Sequence, residues 1–459
     1  MHSSLSKEIN YQMEKEENSL KKSIEETAKR FLEITKDKEI ILVSHFDTDG
    51  ITSATIMTLA LKKLDKKFSV KILKSLEEKF IRSLPKDRII LFTDLASGSL
   101  DYIEENNLEE VFIIDHHEVS KKVPENVRII NPWFNNKEKI SSAGLAYLFC
   151  KELDSTNKDL IKLAVLGMIG DFMEGSIANL DEEAMNNRDV NIKRGLMIYP
   201  STRPINRILE YNSQPFIPGV TGNPKGVIEL LRGSSIEPVN GKYKSIIELD
   251  EEEMKKLTTS IMLRNPKTNE KDIIGNIYLL KFFNKLEDAR EMSAMINACS
   301  RLGQSETAMG VCMELTDSKK KAEEIHAKYK QHLISGLDFA SKAEKIEGNG
   351  FVIINARDKI MDTIAGTIAS ILSNSPLYPE GTIMVTMAYY EDKVKISARM
   401  CGRESNGKNL REILENVINE VGGETGGHEM AAGCIITRDN EEKFIEVLKK
   451  NLEIEIVKI

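Results

Sequence analysis

The sequence predicts an α/β protein. A doubly wound parallel-sheet domain comes first, a mostly helical middle region with a connecting helix follows, and a smaller α/β domain closes the chain. Three observations carry this. Short apolar runs of β-type composition alternate with stretches of helical periodicity through about the first 170 residues, and such alternation means a parallel sheet covered by helices on both faces. The polar clusters fall where those apolar runs end, which is where open α/β sheets bind ligands. A second set of strand-like runs, FVIINA, GTIMVTMAYY and VKISARM, returns after residue 350.

Residues 1–36 read as a charged helix. Its Leu20, Ile24, Ala28 and Leu32 recur every four positions and form one apolar stripe that packs on the following domain. EIILVSH is then a strand, HFDTDG a polar loop and ITSATIMTLALKKL a helix. RIILFTD is a second strand, followed by the loop LASGS and the helical LDYIEENN. VFIID is a third, followed by HHEVS, and VRIINP is a fourth. SSAGLAYLFCKEL and KDLIKLAVLGMIGDF read as helices, the first capped by Ser141 or Ser142.

The stretch from about 200 to 240 is rich in Pro, Gly and Asn and reads as irregular. ELDEEEMKKL begins a solvated helix, and residues 277–345 read as mostly helical. In the last unit DTIAGTIASILS and NLREILENVINEV are helices, and the glycine-rich GGETGGHEMAAG lies between the second of these and the strand CIITR. These readings divide the chain into 1–36, a parallel-sheet domain over 37–240, a helical insertion and connecting helix over 241–345, and a second α/β domain over 346–459.

Composition excludes several classes. With 459 residues, 41% hydrophobic and 30% charged, the chain can build more than one core. The first residues are too polar for a signal peptide and no apolar run would span a bilayer, so a cytoplasmic protein with no membrane partner is expected. Cys150, Cys299, Cys312, Cys401 and Cys434 are odd in number and show no CxxC spacing. They are expected to be buried thiols rather than disulfides or zinc ligands.

The net charge of −8 argues against a broad basic face. Phosphates would be met locally, in a groove or at metals. Lys281, Arg290, Arg301 and Lys319–Lys321 read equally as a nucleic-acid path or as solvated helix faces. Trp133 fits core packing better than base stacking.

The chemistry lies at the strand ends. His45, Asp47 and Asp49 follow the first strand, Asp94 the second, and Asp115, His116 and His117 the third, while Asp171 follows a helix. An Asp in such a place is commonly a helix cap, and an HH pair alone says little. So many carboxylates in one crevice would repel one another and resist ionisation unless cations were bound. Asp and His together suit Mn²⁺ or similar ions, with Mg²⁺ preferring the oxygens, and two ions sharing a carboxylate clamp a phosphoester. In the last domain, Gly426 and Gly427 would let a phosphate approach the backbone. His428 can donate to it, and Arg399 offers a planar fork.

The quartet HFDTDG, FTDLASG, IDHHE and GMIGD resembles motifs one to four of the DHH phosphoesterases. GGETGGHEMAAG, with ISAR before it, is similar to the signature of their DHH-associated C-terminal domain, and LEDAREMSAMINACSRLG is similar to the archaeal RecJ-like nucleases, relatives of a eukaryotic replicative-helicase subunit. The resemblance implies that His45 and Asp47 bind one metal, that Asp49, His116 and Asp171 bind the other, and that Asp94 bridges them. It implies that His117 contacts the scissile phosphate or protonates the leaving group, and that Asp115 orients the histidines.

It further implies two divalent ions, Mn²⁺ before Mg²⁺, and a single-strand DNA or RNA exonuclease whose C-terminal domain grips the strand across a cleft. Replication or repair proteins are the implied partners. Bacterial RecJ carries Asp where this chain has His45, so the chain follows the archaeal and small-substrate branches. The alternatives are an oligoribonuclease or cyclic-dinucleotide phosphodiesterase, a pyrophosphatase, a scaffold without catalysis, and an alanyl-tRNA editing protein.

Overall fold

The computed structural model describes residues 20–119, 121–135, 138–180, 187–212, 217–264, 270–375, 377–402 and 407–457. The chain forms two compact units, Met1–His326 and Ala327–Ile459.

Helix α1 (Leu20–Ile34) buries Leu20, Ile24, Ala28 and Phe31. Leu32 is only half-buried, because 3.6 residues per turn drifts away from a spacing of four. Phe31 meets Phe112 and Phe149 edge-on, at 5.1 and 5.5 Å between ring centres. The rest of the expected helix, residues 1–19, lies outside the described residues.

The first unit is built on β1 (Ile40–His45), β2 (Phe68–Leu73), β3 (Ile89–Thr93), β4 (Val111–Ile114) and β5 (Val127–Ile130), all parallel, in the order β2-β1-β3-β4-β5. Helices cover both faces. Ile40, Leu42 and Leu91 join a core with α2 (Thr48–Lys63), α4 (Ser142–Leu153) and α5 (Ile161–Gly170), and Ile41, Val43 and Phe92 join another with Leu100 and Ile103 of α3 (Leu100–Glu105). Burial on both faces is why these strands read as unbroken apolar runs.

The order reverses between β1 and β3, so the carboxyl ends of β1, β3 and β4 open onto the switch-point crevice. Strand β2 escapes the sequence reading because it is an edge strand, half-buried or exposed throughout.

The middle region departs from expectation. Strands β6 (Val190–Leu196), β7 (Ile274–Phe282) and β8 (Lys285–Asp288) form an antiparallel sheet, where the sequence predicts helix from residue 277. An unbroken apolar run does not distinguish the two. The stretch predicted to be irregular contains α6 (Ile205–Tyr211) and α7 (Pro224–Gly233). Pro204 and Pro224 sit at their starts, and Asn223 caps α7 through the Gly226 N–H; here proline opens helices rather than marking loops. With α8 (Glu251–Arg264) they enclose a separate core around Leu196, Ile208, Leu231, Leu257 and Ile277. Helices α9 (Ala289–Arg301), α10 (Ser305–Cys312) and α11 (Thr316–Lys342) follow.

The second unit carries a six-stranded sheet in the order β13-β14-β12-β11-β10-β9. Its strands are β9 (Ile346–Gly348), β10 (Phe351–Asn355), β11 (Ile383–Tyr390), β12 (Lys393–Met400), β13 (Glu424–His428) and β14 (Ala431–Thr437), and only β10 and β11 pair in parallel. Helices α12 (Asp362–Ser373), α13 (Leu410–Val421) and α14 (Glu441–Val457) accompany it. The glycine-rich segment, left without an element in the sequence reading, forms a hairpin of β13 against β14; its glycines conceal strand propensity. Among the described residues no helix is long and apolar enough to cross a membrane. All five cysteines are buried and free.

Candidate metal centre

Three strand ends and one helix end deliver the cluster. Asp47 caps α2, accepting the Gly50 N–H at 3.0 Å, so its side chain is both a helix cap and part of the cluster. His45 Nδ1 lies 3.0 Å from Asp47 Oδ2 and 3.4 Å from Asp94 Oδ2. His116 Nε2 lies 3.5 Å from Asp171 Oδ2 and 3.6 Å from Asp94 Oδ1. Ligand-type atoms fall into the sets His45–Asp47–Asp94 and Asp49–His116–Asp171, each within 4.8 Å, and a third, Asp94–His116–His117, shares Asp94.

Asp94 follows β3 with a left-handed φ of 58°, a conformation uncommon for residues other than glycine. It is 1% exposed, and its buried Oδ2 makes no hydrogen bond among the described residues, the His45 ring nitrogen standing 3.4 Å away. An ionised carboxylate oxygen in that state is costly unless a cation meets it.

Asp49 is equally buried but held. Its Oδ1 accepts from the Ser141 hydroxyl at 2.7 Å and the Ala143 N–H at 3.0 Å, and its Oδ2 from the Ser142 N–H at 2.8 Å. The amino end of α4 therefore serves as an anion seat. The Ser142 hydroxyl donates to Asp94 Oδ1 at 3.0 Å. In the sequence, Ser141 and Ser142 read only as a helix cap. A Cβ on Gly167 would stand 2.7 Å from Asp49 Oδ1, so α5 approaches Asp49 closely because position 167 has no side chain.

Asp115 organises the histidine pair. Its Oδ1 lies 2.7 Å from His117 Nδ1 and accepts the His116 N–H at 2.8 Å, while its Oδ2 accepts the Ser97 N–H at 3.0 Å. Asn131, fully buried, donates to the Ser97 hydroxyl at 3.0 Å and to the His117 carbonyl at 2.9 Å, and accepts the Trp133 N–H. Nothing in the local sequence marks Asn131, and only the meeting of β4 and β5 brings it there. Asn297 and Ser293 of α9 also reach the cluster: Thr48 donates its N–H to Asn297 Oδ1 and its hydroxyl to the Ser293 carbonyl, both at 3.0 Å.

The electrostatics favour the binding of cations. Burial, then the charges of Asp47 and Asp49, push the Asp94 carboxyl well above its ordinary value. Burial, then Asp49 and Asp47, push Asp171 up to about 8, and burial raises Asp49. Burial alone would raise Asp47 too, but His45 beside it reverses this and holds it low. Burial would lower His117; its bond to Asp115 overcomes this and carries it up to about 10. Burial lowers His116. Four aspartates and three histidines, with one buried carboxylate oxygen unmatched, fit divalent ions of the Mn²⁺ and Mg²⁺ kind.

In the second unit a cavity of about 400 Å³ is lined by Arg399, Gly426 and Gly427, with Lys395, Ser397 and Thr425. Arg399 is anchored: Nε donates to the Ser370 hydroxyl at 3.0 Å, and Nη1 to the carbonyls of Ala398 and Ala432 at 2.8 and 3.3 Å. Gly427 has φ 130°, and a Cβ there would meet Ala432 Cα at 2.5 Å, whereas Gly426 faces open space. His428, at the end of β13, is exposed and is not among the residues lining the cavity.

The basic residues of the middle region are partly committed elsewhere. Arg290 pairs with Glu174 at 2.7 Å and Lys319 with Glu287 at 2.8 Å, while Lys320 and Lys321 are exposed.

Comparison with known proteins agrees with this geometry. Residues 39–170 match the DHH family N-terminal domain, 199–272 the DHH-CID domain and 348–453 the DHHA1 domain. An uncharacterized protein of Methanocaldococcus jannaschii is 28% identical over 428 residues, covering 89% of this chain and 91% of its own. The crystal structure of exonuclease RecJ bound to manganese is similar over 93% of both chains, with TM-score 0.56 and 16% identity. RecJ of Thermus thermophilus in complex with Mn²⁺ is similar over 94% of this chain and 55% of its own, with TM-score 0.58 and 18% identity. Cdc45 from Entamoeba histolytica is similar over 94% and 99%, with TM-score 0.65 and 14% identity. At such identities these three are likenesses of fold. The matched DHH, DHH-CID and DHHA1 domains assign the chain to the DHH superfamily, and its fold is RecJ-like.

Proposed function

We propose that this protein is a metal-dependent exonuclease that hydrolyses the phosphodiester bonds of single-stranded DNA or RNA with two divalent ions, Mn²⁺ before Mg²⁺. The observation that carries the reading is the buried Asp94, which stands in one ligand set with His45 and Asp47 and in another with His116 and His117, and whose Oδ2 makes no hydrogen bond among the described residues, with the His45 ring nitrogen 3.4 Å away. His45 and Asp47 would hold one ion and Asp49, His116 and Asp171 the other, with Asp94 between them. Divalent ions held by these residues would supply an activated water and neutralise charge on the phosphoryl oxygens.

The protein's own groups have separate tasks in this reading. The amino end of α4 fixes Asp49 for its role and keeps it from turning away. Asp115 fixes the His117 ring and, in the metal-free protein, holds its pKa above the ordinary value. His117 is half exposed, so it can reach the scissile phosphate or give a proton to the departing oxygen. We place hydrolysis in the parallel-sheet domain (37–240) and substrate binding in the last domain (346–459), where Arg399, Gly426, Gly427 and His428 would hold a phosphate. Of residues 1–36, the described helix α1 packs on the first domain, and 241–345 would connect the two. The likeness to RecJ and Cdc45 supports work on nucleic acid beside replication or repair proteins in the cytoplasm of an archaeal-type cell.

An enzyme for dinucleotides would carry the same cluster. The likeness in fold to exonuclease RecJ over 93% of both chains supports the longer substrate. The test is digestion of end-labelled single strands, DNA and RNA, beside dinucleotides, with Mn²⁺ and Mg²⁺ in parallel. Shortening of strands from an end is expected, and turnover of dinucleotides alone would overturn the reading.

A further inference from the structure

We propose that Phe172 is the stacking platform for the nucleobase next to the scissile phosphate. The proposal rests on the nuclease reading above and narrows it: the substrate must carry bases, not merely phosphates. Helix α5 ends in a turn in which the N–H groups of Asp171, Phe172 and Met173 return to Gly167, Ile169 and Met168, at 3.0, 3.2 and 2.8 Å. Met173 then packs on the core. This is how a helix closes through a left-handed residue followed by an apolar anchor. The left-handed residue is Phe172, with φ 56°.

Glycine is the residue such a turn favours, and a bulky side chain there is strained. Phe172 recovers nothing from packing, since it is 89% exposed. Both the backbone and the ring would be better served in the folded state by glycine. An outlier of this kind beside a reaction centre points to use by a ligand.

The location supplies the ligand. Phe172 directly follows Asp171, whose Oδ2 is 3.5 Å from His116 Nε2. Adjacent Cα atoms lie about 3.8 Å apart, so the ring stands within roughly one nucleotide of the cluster. Every nucleobase has a flat face, and aromatic side chains hold single strands by stacking on it without reading sequence. Polyphosphates and base-free diesters have no such face.

The test compares the full-length wild type with Phe172→Gly and Phe172→Trp. Each is given a single strand and the same strand with abasic residues at its ends. Kinetic constants and melting temperatures are measured. The wild type should prefer the base-bearing strand through KM. In Phe172→Gly that preference should collapse by about 5- to 150-fold, the range for one stacked base, while its melting temperature is unchanged or higher. Phe172→Trp should restore the preference. A preference that survives in Phe172→Gly, or equal losses on both strands, would overturn stacking alone. If the wild type cleaves neither strand, the nuclease reading fails and stacking fails with it.

Discussion

Thr48 gives its backbone N–H to the side-chain oxygen of Asn297, 3.0 Å away and 249 residues along the chain. Thr48 stands between Asp47 and Asp49, so α9 fixes the segment from which both carboxylates project. Ser293 adds two contacts with the Thr48 hydroxyl, at 3.0 and 3.1 Å. A Cβ on Gly170 would lie 2.6 Å from Thr48 Cβ, so α5 closes the other side. Outer partners of this kind typically change metal affinity 10- to 100-fold when removed. Asn297→Ala should therefore raise the Mn²⁺ concentration for half-maximal activity by roughly tenfold or more. Asn297→Asp, which keeps an acceptor, should recover part of it. Calorimetric titration with Mn²⁺ would decide, and an unchanged affinity in Asn297→Ala would leave α9 a packing element only.

Asp94→Asn should abolish hydrolysis without harming the fold. The buried Asp94 carboxyl is raised by burial and by the charges of Asp47 and Asp49, so in metal-free protein it stands among groups that repel it. Removing the charge should leave the metal-free melting temperature unchanged or higher while the gain on adding Mn²⁺ shrinks. Near-normal turnover in this variant would dismiss the bridging role.

The same electrostatics set a pH dependence. Asp171, raised to about 8, contributes stability that is complete below the ordinary carboxylate value of about 4 and is lost as pH rises through about 8. Asp49 and Asp94 are shifted the same way. His117, raised to about 10, contributes stability that is complete below about 6.5 and is lost as pH rises through about 10. Metal-free protein should therefore melt at lower temperature at pH 9 than at pH 6. Cations need the deprotonated carboxylates, so the gain from Mg²⁺ or Mn²⁺ should grow over the same interval. Scanning fluorimetry across that range, with and without metal, checks both slopes, and two flat profiles would refute the account.

Much of this site could be read before the structure, for a physical reason. Strands β1, β3 and β4 are buried on both faces, so their apolar runs are unbroken and their polar ends stand out. Asn131, Ser141 and Asn297 could not be found that way. Their value lies in contacts with groups distant in the chain, and each is locally an ordinary loop, cap or helix residue. The middle region misled for another reason: the apolar run in β7 is only Ile277–Leu280, too short to show a period, and α6 and α7 start at prolines that looked like loop punctuation. The hairpin of β13 and β14 was hidden by the glycines that also open its face.

The last expectation separates binding from metal occupancy. Arg399 lies in the second unit, every residue of the cluster lies in the first, and the guanidinium borders the cavity beside Gly426 and Gly427. Three hydrogen bonds from Nε and Nη1 hold it to Ser370 and to two strand carbonyls, so the guanidinium is fixed beside the cavity rather than swinging. Arg399→Ala should weaken binding of a labelled single strand by at least about tenfold, the scale for losing a charged hydrogen bond, and should lower the salt slope of binding by about one. Arg399→Lys keeps the charge without the planar fork and should recover only part. His428→Ala should have a smaller effect, because His428 is exposed at the strand end and does not line the cavity. Metal content should stay at the wild-type level in all three. Fluorescence anisotropy against salt, beside elemental analysis, measures both quantities. Loss of bound metal in Arg399→Ala would show that this arginine serves the cluster, and an unchanged affinity would show that the strand does not use this cavity.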